Sequence, residues 1–128
     1  MFAYVIDSEA DIRDMLGLRL SSIGYEIMAF CSYTDACVRL LEGAAYPCTV
    51  IGDLRVSGPA TAQEFGTLLR VHSANACFII YSSDETHASD LDRYGADFYV
   101  RKPHDVLSVL PECVAKRRSH AVGPSLPP

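Results

Sequence analysis

Four side chains in this sequence could do chemistry together: the carboxylates of Asp7 and Asp53, the hydroxyl of Ser82 and the ammonium of Lys102. Each stands at or just past the end of a short apolar run: FAYVI before Asp7, CTVIG before Asp53, CFIIY before Ser82 and FYV shortly before Lys102. Two carboxylates brought close repel unless a cation stands between them, so the pair points to a magnesium site. An ammonium and a hydroxyl nearby suit the oxygens of a transferred phosphoryl group. Each residue also has a plainer explanation. An aspartate after a strand is commonly a cap or turn residue. Asp7 or Ser8 can cap the first helix, and Ser8 with Asp11 has capping-box spacing. Ser82 can be a turn former, and Tyr99 can be ordinary strand packing. What separates the two readings is whether the chain brings these residues to one place.

The elements that would do so are legible. Apolar runs alternate with helical patterns five times. The pattern predicts strands over 2–6, 25–30, 48–52, 77–81 and 98–100. A helix over 9–22 carries Ile12, Met15, Leu16 and Leu20 at helical spacing, and Gly24 sits where a C-cap glycine belongs. Ser32 followed by Asp35 predicts the N-terminus of a second helix ending near Gly43. A loop with Ser57, Gly58 and Pro59 leads to a third helix over 61–73, carrying Phe65, Leu68 and Leu69. A polar helix over 84–94 closes at Gly95, and a last helix spans 105–118, kinked or delayed by Pro111. Such a repeat implies one α/β domain over 1–118: a doubly wound, five-stranded parallel sheet, flavodoxin-like. Continuous apolar strands are what a sheet buried on both faces demands. In that architecture, sites lie at the carboxyl ends of the strands, where Asp7, Asp53, Ser82 and Lys102 all stand. Residues 119–128, rich in proline, read as a flexible tail or linker.

Composition bounds the partners. The chain has 128 residues, 49% apolar and 21% charged, as in soluble globular domains. A net charge of -5 argues against direct nucleic-acid binding, which needs a basic surface. The Lys116-Arg117-Arg118 cluster is better read as a helix C-terminus. No apolar run is long enough to span a bilayer, and the N-terminus does not read as a signal peptide. Five cysteines without C-x-x-C spacing argue against a disulfide framework or zinc site and fit small hydrophobes in a reducing cytosol. A cytoplasmic protein is the expectation.

Over residues 2–118 the sequence resembles the receiver domains of bacterial two-component response regulators. The matching stretches are YVIDSEADIR, VIGDLRVSG, FIIYSSD and RYGADFYVRKP. The resemblance implies that Asp53 is the phosphoacceptor, taking a phosphoryl group from the phosphohistidine of a sensor histidine kinase or phosphotransfer protein. It implies a metal set of Asp7, Asp53 and the backbone carbonyl of Arg55 around Mg2+. Lys102 would pair with a phosphoryl oxygen, the Ser82 hydroxyl would move toward the phosphoryl group, and Tyr99 would be the switch aromatic. The Lys102-Pro103 bond would be cis. Arg55 and Asp84 occupy positions that tune the lifetime of the phosphoryl group, and their opposite charges suggest a pair across the mouth of the site. Output would pass through the face of the fourth helix, fifth strand and last helix, by homodimerisation or partner binding. Such a domain is not an enzyme beyond catalysing its own phosphorylation and dephosphorylation.

The sequence departs from the family pattern in three places. Ser8 stands where a second acid is usual, which lowers the expected magnesium affinity. Val56-Ser57 replaces the usual Met-Pro, and Thr61 replaces a downstream glycine. Ser8 keeps open an alternative: a pseudo-receiver that binds partners without phosphorylation. A flavodoxin-type cofactor binder is disfavoured, because DSEAD follows the first strand in place of a glycine-rich phosphate loop.

Overall fold

The computed structural model of the chain describes residues 1–56, 58, 60–83 and 90–121. Among them, the elements run β1 (Phe2–Ile6), α1 (Ala10–Ser22), β2 (Glu26–Phe30), α2 (Tyr33–Leu41), β3 (Pro47–Gly52), α3 (Ala62–His72), β4 (Cys77–Ser82), α4 (Leu91–Tyr94), β5 (Phe98–Arg101), a 3-10 turn (Val106–Val109) and α5 (Leu110–Ala121). The five strands are parallel and lie in the order β2-β1-β3-β4-β5. This is the doubly wound sheet that the alternating pattern predicts.

Alternation along the strands explains why their sequences are apolar throughout. Tyr4, Ile6, Val50, Phe78 and Ile80 face one core with Tyr33, Leu40, Phe65 and Leu69 of α2 and α3. Ala3, Val5, Ile51, Ile79 and Tyr81 face the other, with Leu16 and Leu20 of α1 and Leu110 and Cys113 of α5. In β1, β3 and β4 neither face meets water, so period two disappears from their sequences, while edge strand β2 keeps Glu26 and Ala29 exposed. Burying each large side chain contributes roughly 1.5–3 kcal/mol.

The helix ends follow local chemistry, with one correction. Ser32 accepts from the Asp35 amide as expected, and Thr61 with Glu64 forms a complete capping box. Thr61 therefore has a local role where a glycine would be usual. Ser8, by contrast, does not cap α1. The N-cap is Glu9, whose side chain makes no capping bond, and the Asp7 carboxylate accepts from the Glu9 amide instead. Pro111 stands in the first turn of α5, where its missing N–H costs nothing, so it delays the helix. Gly95 ends α4 at φ 65, a left-handed conformation that a side chain would resist.

Strand and helix ends otherwise shift by a residue or two, and α5 runs to Ala121, past the expected boundary at 118. Of the expected helix over 84–94, residues 84–89 lie outside the described residues, as do Ser57, Pro59 and 122–128. Cys37, Cys77 and Cys113 are buried free thiols, as the cysteine reading expects, but Cys31 is exposed. Among the described residues, no helix is long and apolar enough to cross a membrane.

Candidate functional site

Because β1 and β3 are neighbours, the residues following them meet. The Asp7 amide donates to Phe30 and the Asp53 amide to Ile6, so both residues continue the ladder by one bond. Each carboxylate then has one oxygen held by the next turn. Asp7 Oδ1 accepts from the Glu9 amide at 2.9 Å, and Asp53 Oδ1 accepts from the Arg55 amide at 3.2 Å. The other oxygens converge. Lys102 Nζ lies 2.8 Å from Asp7 Oδ2 and 2.9 Å from Asp53 Oδ2. The three side chains are 2%, 10% and 15% exposed for Asp7, Asp53 and Lys102.

Lys102 reaches this point from the far side of β4. Its amide donates to the Ser82 carbonyl at 3.0 Å, anchoring the backbone after β5 to the end of β4. Its ammonium lies 5.7 Å from the centre of the Tyr81 ring. The Lys102-Pro103 bond is cis, as the resemblance implies. Burial works against the lysine's charge, but the hydrogen bonds and charges of Asp7 and Asp53 outweigh it and raise its pKa above the ordinary value.

Ser82 is buried at the end of β4, and Tyr99 is half-buried in β5, opposite Ile80 in register. Both stand on the strands that frame the lysine. The Arg55 side chain is exposed at the rim, while Asp84, its expected partner, lies outside the described residues. Ser8 is exposed and adds no carboxylate.

Two buried carboxylates compensated by one ammonium leave one negative charge over. The donors are hard oxygens, and magnesium commonly takes one or two carboxylates while keeping waters. The residues fit such an ion. They do not form an all-protein cage: among the described residues, no group of three or more acidic, histidine or cysteine side chains gathers.

Sequence reasoning did not single out three residues that shape this region. Arg13 of α1 donates to the Asp7 carbonyl at 2.7 Å. Tyr33 of α2 donates to the Asp53 carbonyl at 2.6 Å. Gly52, the last residue of buried β3, is the trace of that approach in the sequence, since a glycine in a strand often marks a close contact. At the opposite end of the sheet, buried Asp97 accepts from the Phe78 amide at 2.9 Å and pairs with Arg70 and Arg117, each at 3.2 Å. It ties α3 and α5 to the sheet, away from the site.

No protein-family model and no curated protein matches the sequence. Solved structures do. A response regulator of Thermotoga maritima, in complex with Mg2+ and BeF, shares 28% identity at a TM-score of 0.72, over 91% of this chain and 97% of that one. A receiver protein of Sinorhizobium medicae shares 20% at 0.76, over 91% and 93%. A CheY-like receiver domain of Methanospirillum hungatei shares 14% at 0.78, over 93% and 97%. The chain folds as the receiver domains of response regulators do.

Proposed function

We propose that this chain is a phosphoacceptor receiver of a two-component system, with Asp53 as the nucleophile. The observation that carries the reading is the convergence of Asp7, Asp53 and Lys102, at 2.8 and 2.9 Å, at the carboxyl end of a receiver-type sheet. An Asp53 oxygen attacks phosphorus of a phosphohistidine on a histidine kinase or phosphotransfer protein. The P–O bond forms as the P–N bond breaks, and its electron pair leaves with the imidazole. Lys102 pairs with the transferred oxygens. Asp7, Asp53 and the Arg55 carbonyl would hold Mg2+, as suits the relative that binds Mg2+ and BeF. Bound there, the ion would supply positive charge against the carboxylates and the incoming phosphoryl oxygens. Ser82 and Tyr99 would carry the change outward, to a partner or a second copy. The domain acts on itself and not on a separate substrate, so it is a signalling domain first.

One observation favours a second reading. Ser8 presents an exposed hydroxyl where another carboxylate would strengthen the metal site. In that case the same fold serves as an interaction module that is never phosphorylated.

Intact-mass spectrometry with acetyl phosphate, with and without magnesium, separates the two. A phosphoryl adduct that needs magnesium and is lost in Asp53→Asn supports the receiver. No adduct at millimolar magnesium leaves the interaction module.

A further inference from the structure

The carbonyl of Asp53 lies one residue beyond β3, where the ladder to β4 has ended at the Gly52–Ile80 pair. A buried carbonyl without a partner is costly. Tyr33, in the first turn of α2, satisfies it with a 2.6 Å hydrogen bond. On the other side of the same residue, the amide donates to Ile6 at 2.9 Å. The backbone of Asp53 is therefore pinned from both sides, by β1 and by α2.

The tyrosine reaches this carbonyl only because residue 52 has no side chain. A Cβ on Gly52 would stand 2.4 Å from the Tyr33 hydroxyl oxygen and 3.2 Å from Cζ. The ring cannot retreat easily. It is 1% exposed and packs against Phe65 at 5.4 Å between centres. Glycine loses more conformational freedom on folding than other residues, so something must offset it. Gly52 and Tyr33 are a matched pair. Thr34, the next residue, accepts from the Ala60 amide at 3.1 Å and ties the far end of the same loop to the same turn of helix.

We infer that Tyr33 is a positioning residue for phosphoryl transfer: by holding the Asp53 carbonyl, it sets where the carboxylate stands relative to Lys102 and Asp7. The inference rests on the phosphoacceptor reading of Asp53. Attack on phosphorus needs a defined line of approach, and a nucleophile displaced by about 1 Å loses on the order of 100-fold in rate.

The test is the rate of phosphoryl gain from acetyl phosphate, at saturating magnesium and a temperature where every protein is fully folded. Tyr33→Phe should lose about 10-fold in maximal rate, with the half-saturating acetyl phosphate concentration unchanged. Gly52→Ala should lose a similar factor alone and little more in the Tyr33→Phe background, where the closest contact is gone. If Gly52→Ala does not fold, the Tyr33→Phe rates decide alone. Equal maximal rates for Tyr33→Phe and the wild type would overturn the positioning role while leaving Asp53 as phosphoacceptor. A wild type that gains no phosphoryl group would overturn both.

Discussion

Lys102 and Asp7, 95 residues apart in the chain, meet at 2.8 Å. The lysine stands after β5 and the aspartate after β1, with β3 and β4 between them in the sheet. Spanning two strands lets one ammonium compensate two carboxylates that would otherwise repel. Removing one partner of a buried charge pair typically costs about 3–5 kcal/mol, because the remaining charge is left uncompensated. Lys102→Met should therefore be destabilised by about that amount in urea unfolding. Magnesium at millimolar concentration should restore more stability to the variant than it adds to the wild type, because it supplies the missing charge. A variant as stable as the wild type, or indifferent to magnesium, would contradict this description of the site.

The same cluster sets a pH dependence. The Lys102 pKa is raised in the folded state above its ordinary 10.5. A raised base contributes stability that is fully present below the unfolded pKa and is lost as pH rises through the folded one. Its contribution should be flat over about pH 6 to 9 and decline only above about 10.5. Comparing wild-type and Lys102→Met unfolding energies across that range isolates it. Convergence of the two curves near neutral pH would show that the ammonium is not held as described.

At the other end of the sheet, Asp97 accepts from the Phe78 amide and compensates Arg70 and Arg117. Arg70 also donates to the Gly95 carbonyl at 2.6 Å and to the Ala76 carbonyl at 2.6 Å. Asp97→Ala would leave two guanidinium ions facing each other and a buried amide unpaired. The expected loss is about 3–5 kcal/mol in denaturant unfolding. A change below about 1 kcal/mol would mean that the cluster is spread out and solvated.

Gly66 lets α3 approach α4. A Cβ there would stand 1.8 Å from the Tyr94 carbonyl oxygen, which is backbone and cannot swing away. Alanine is normally better than glycine inside a helix, by about 1 kcal/mol. Here the sign should reverse, with Gly66→Ala losing about 1–3 kcal/mol through forced separation of the helices. A variant with a higher melting temperature would show that α4 moves aside freely.

Much of this was readable from residue order. The sheet is buried on both faces, so its strands appear as unbroken apolar runs such as CFIIY, and the carboxyl ends of those runs mark Asp7, Asp53, Ser82 and Lys102. The αL cap at Gly95 and the cap at Ser32 are local chemistry, and local chemistry is visible in sequence; the Thr61–Glu64 capping box is equally local but was read only as a replaced glycine. Tyr33 was not visible as a site residue, because its bond to Asp53 spans 20 positions and an aromatic at a helix start reads as core. Asp97 was hidden for the same reason: its partners come from three separate elements. Ser8 misled, since its spacing to Asp11 fits a capping box, yet the backbone after β1 places Glu9 at the cap and leaves Asp7 to bind the Glu9 amide. The proposed Arg55–Asp84 pair falls partly outside the described residues.

The most direct measurement is chemical trapping of the phosphoryl group at its residue. After incubation with acetyl phosphate and magnesium, borohydride reduction converts an acyl phosphate of aspartate to homoserine, which peptide mass spectrometry locates. Homoserine at position 53, and at no other aspartate, is the predicted result. Reduction at Asp7 or elsewhere, or an unaltered Asp53 in protein shown to be folded, would contradict the phosphoacceptor role on which the account rests.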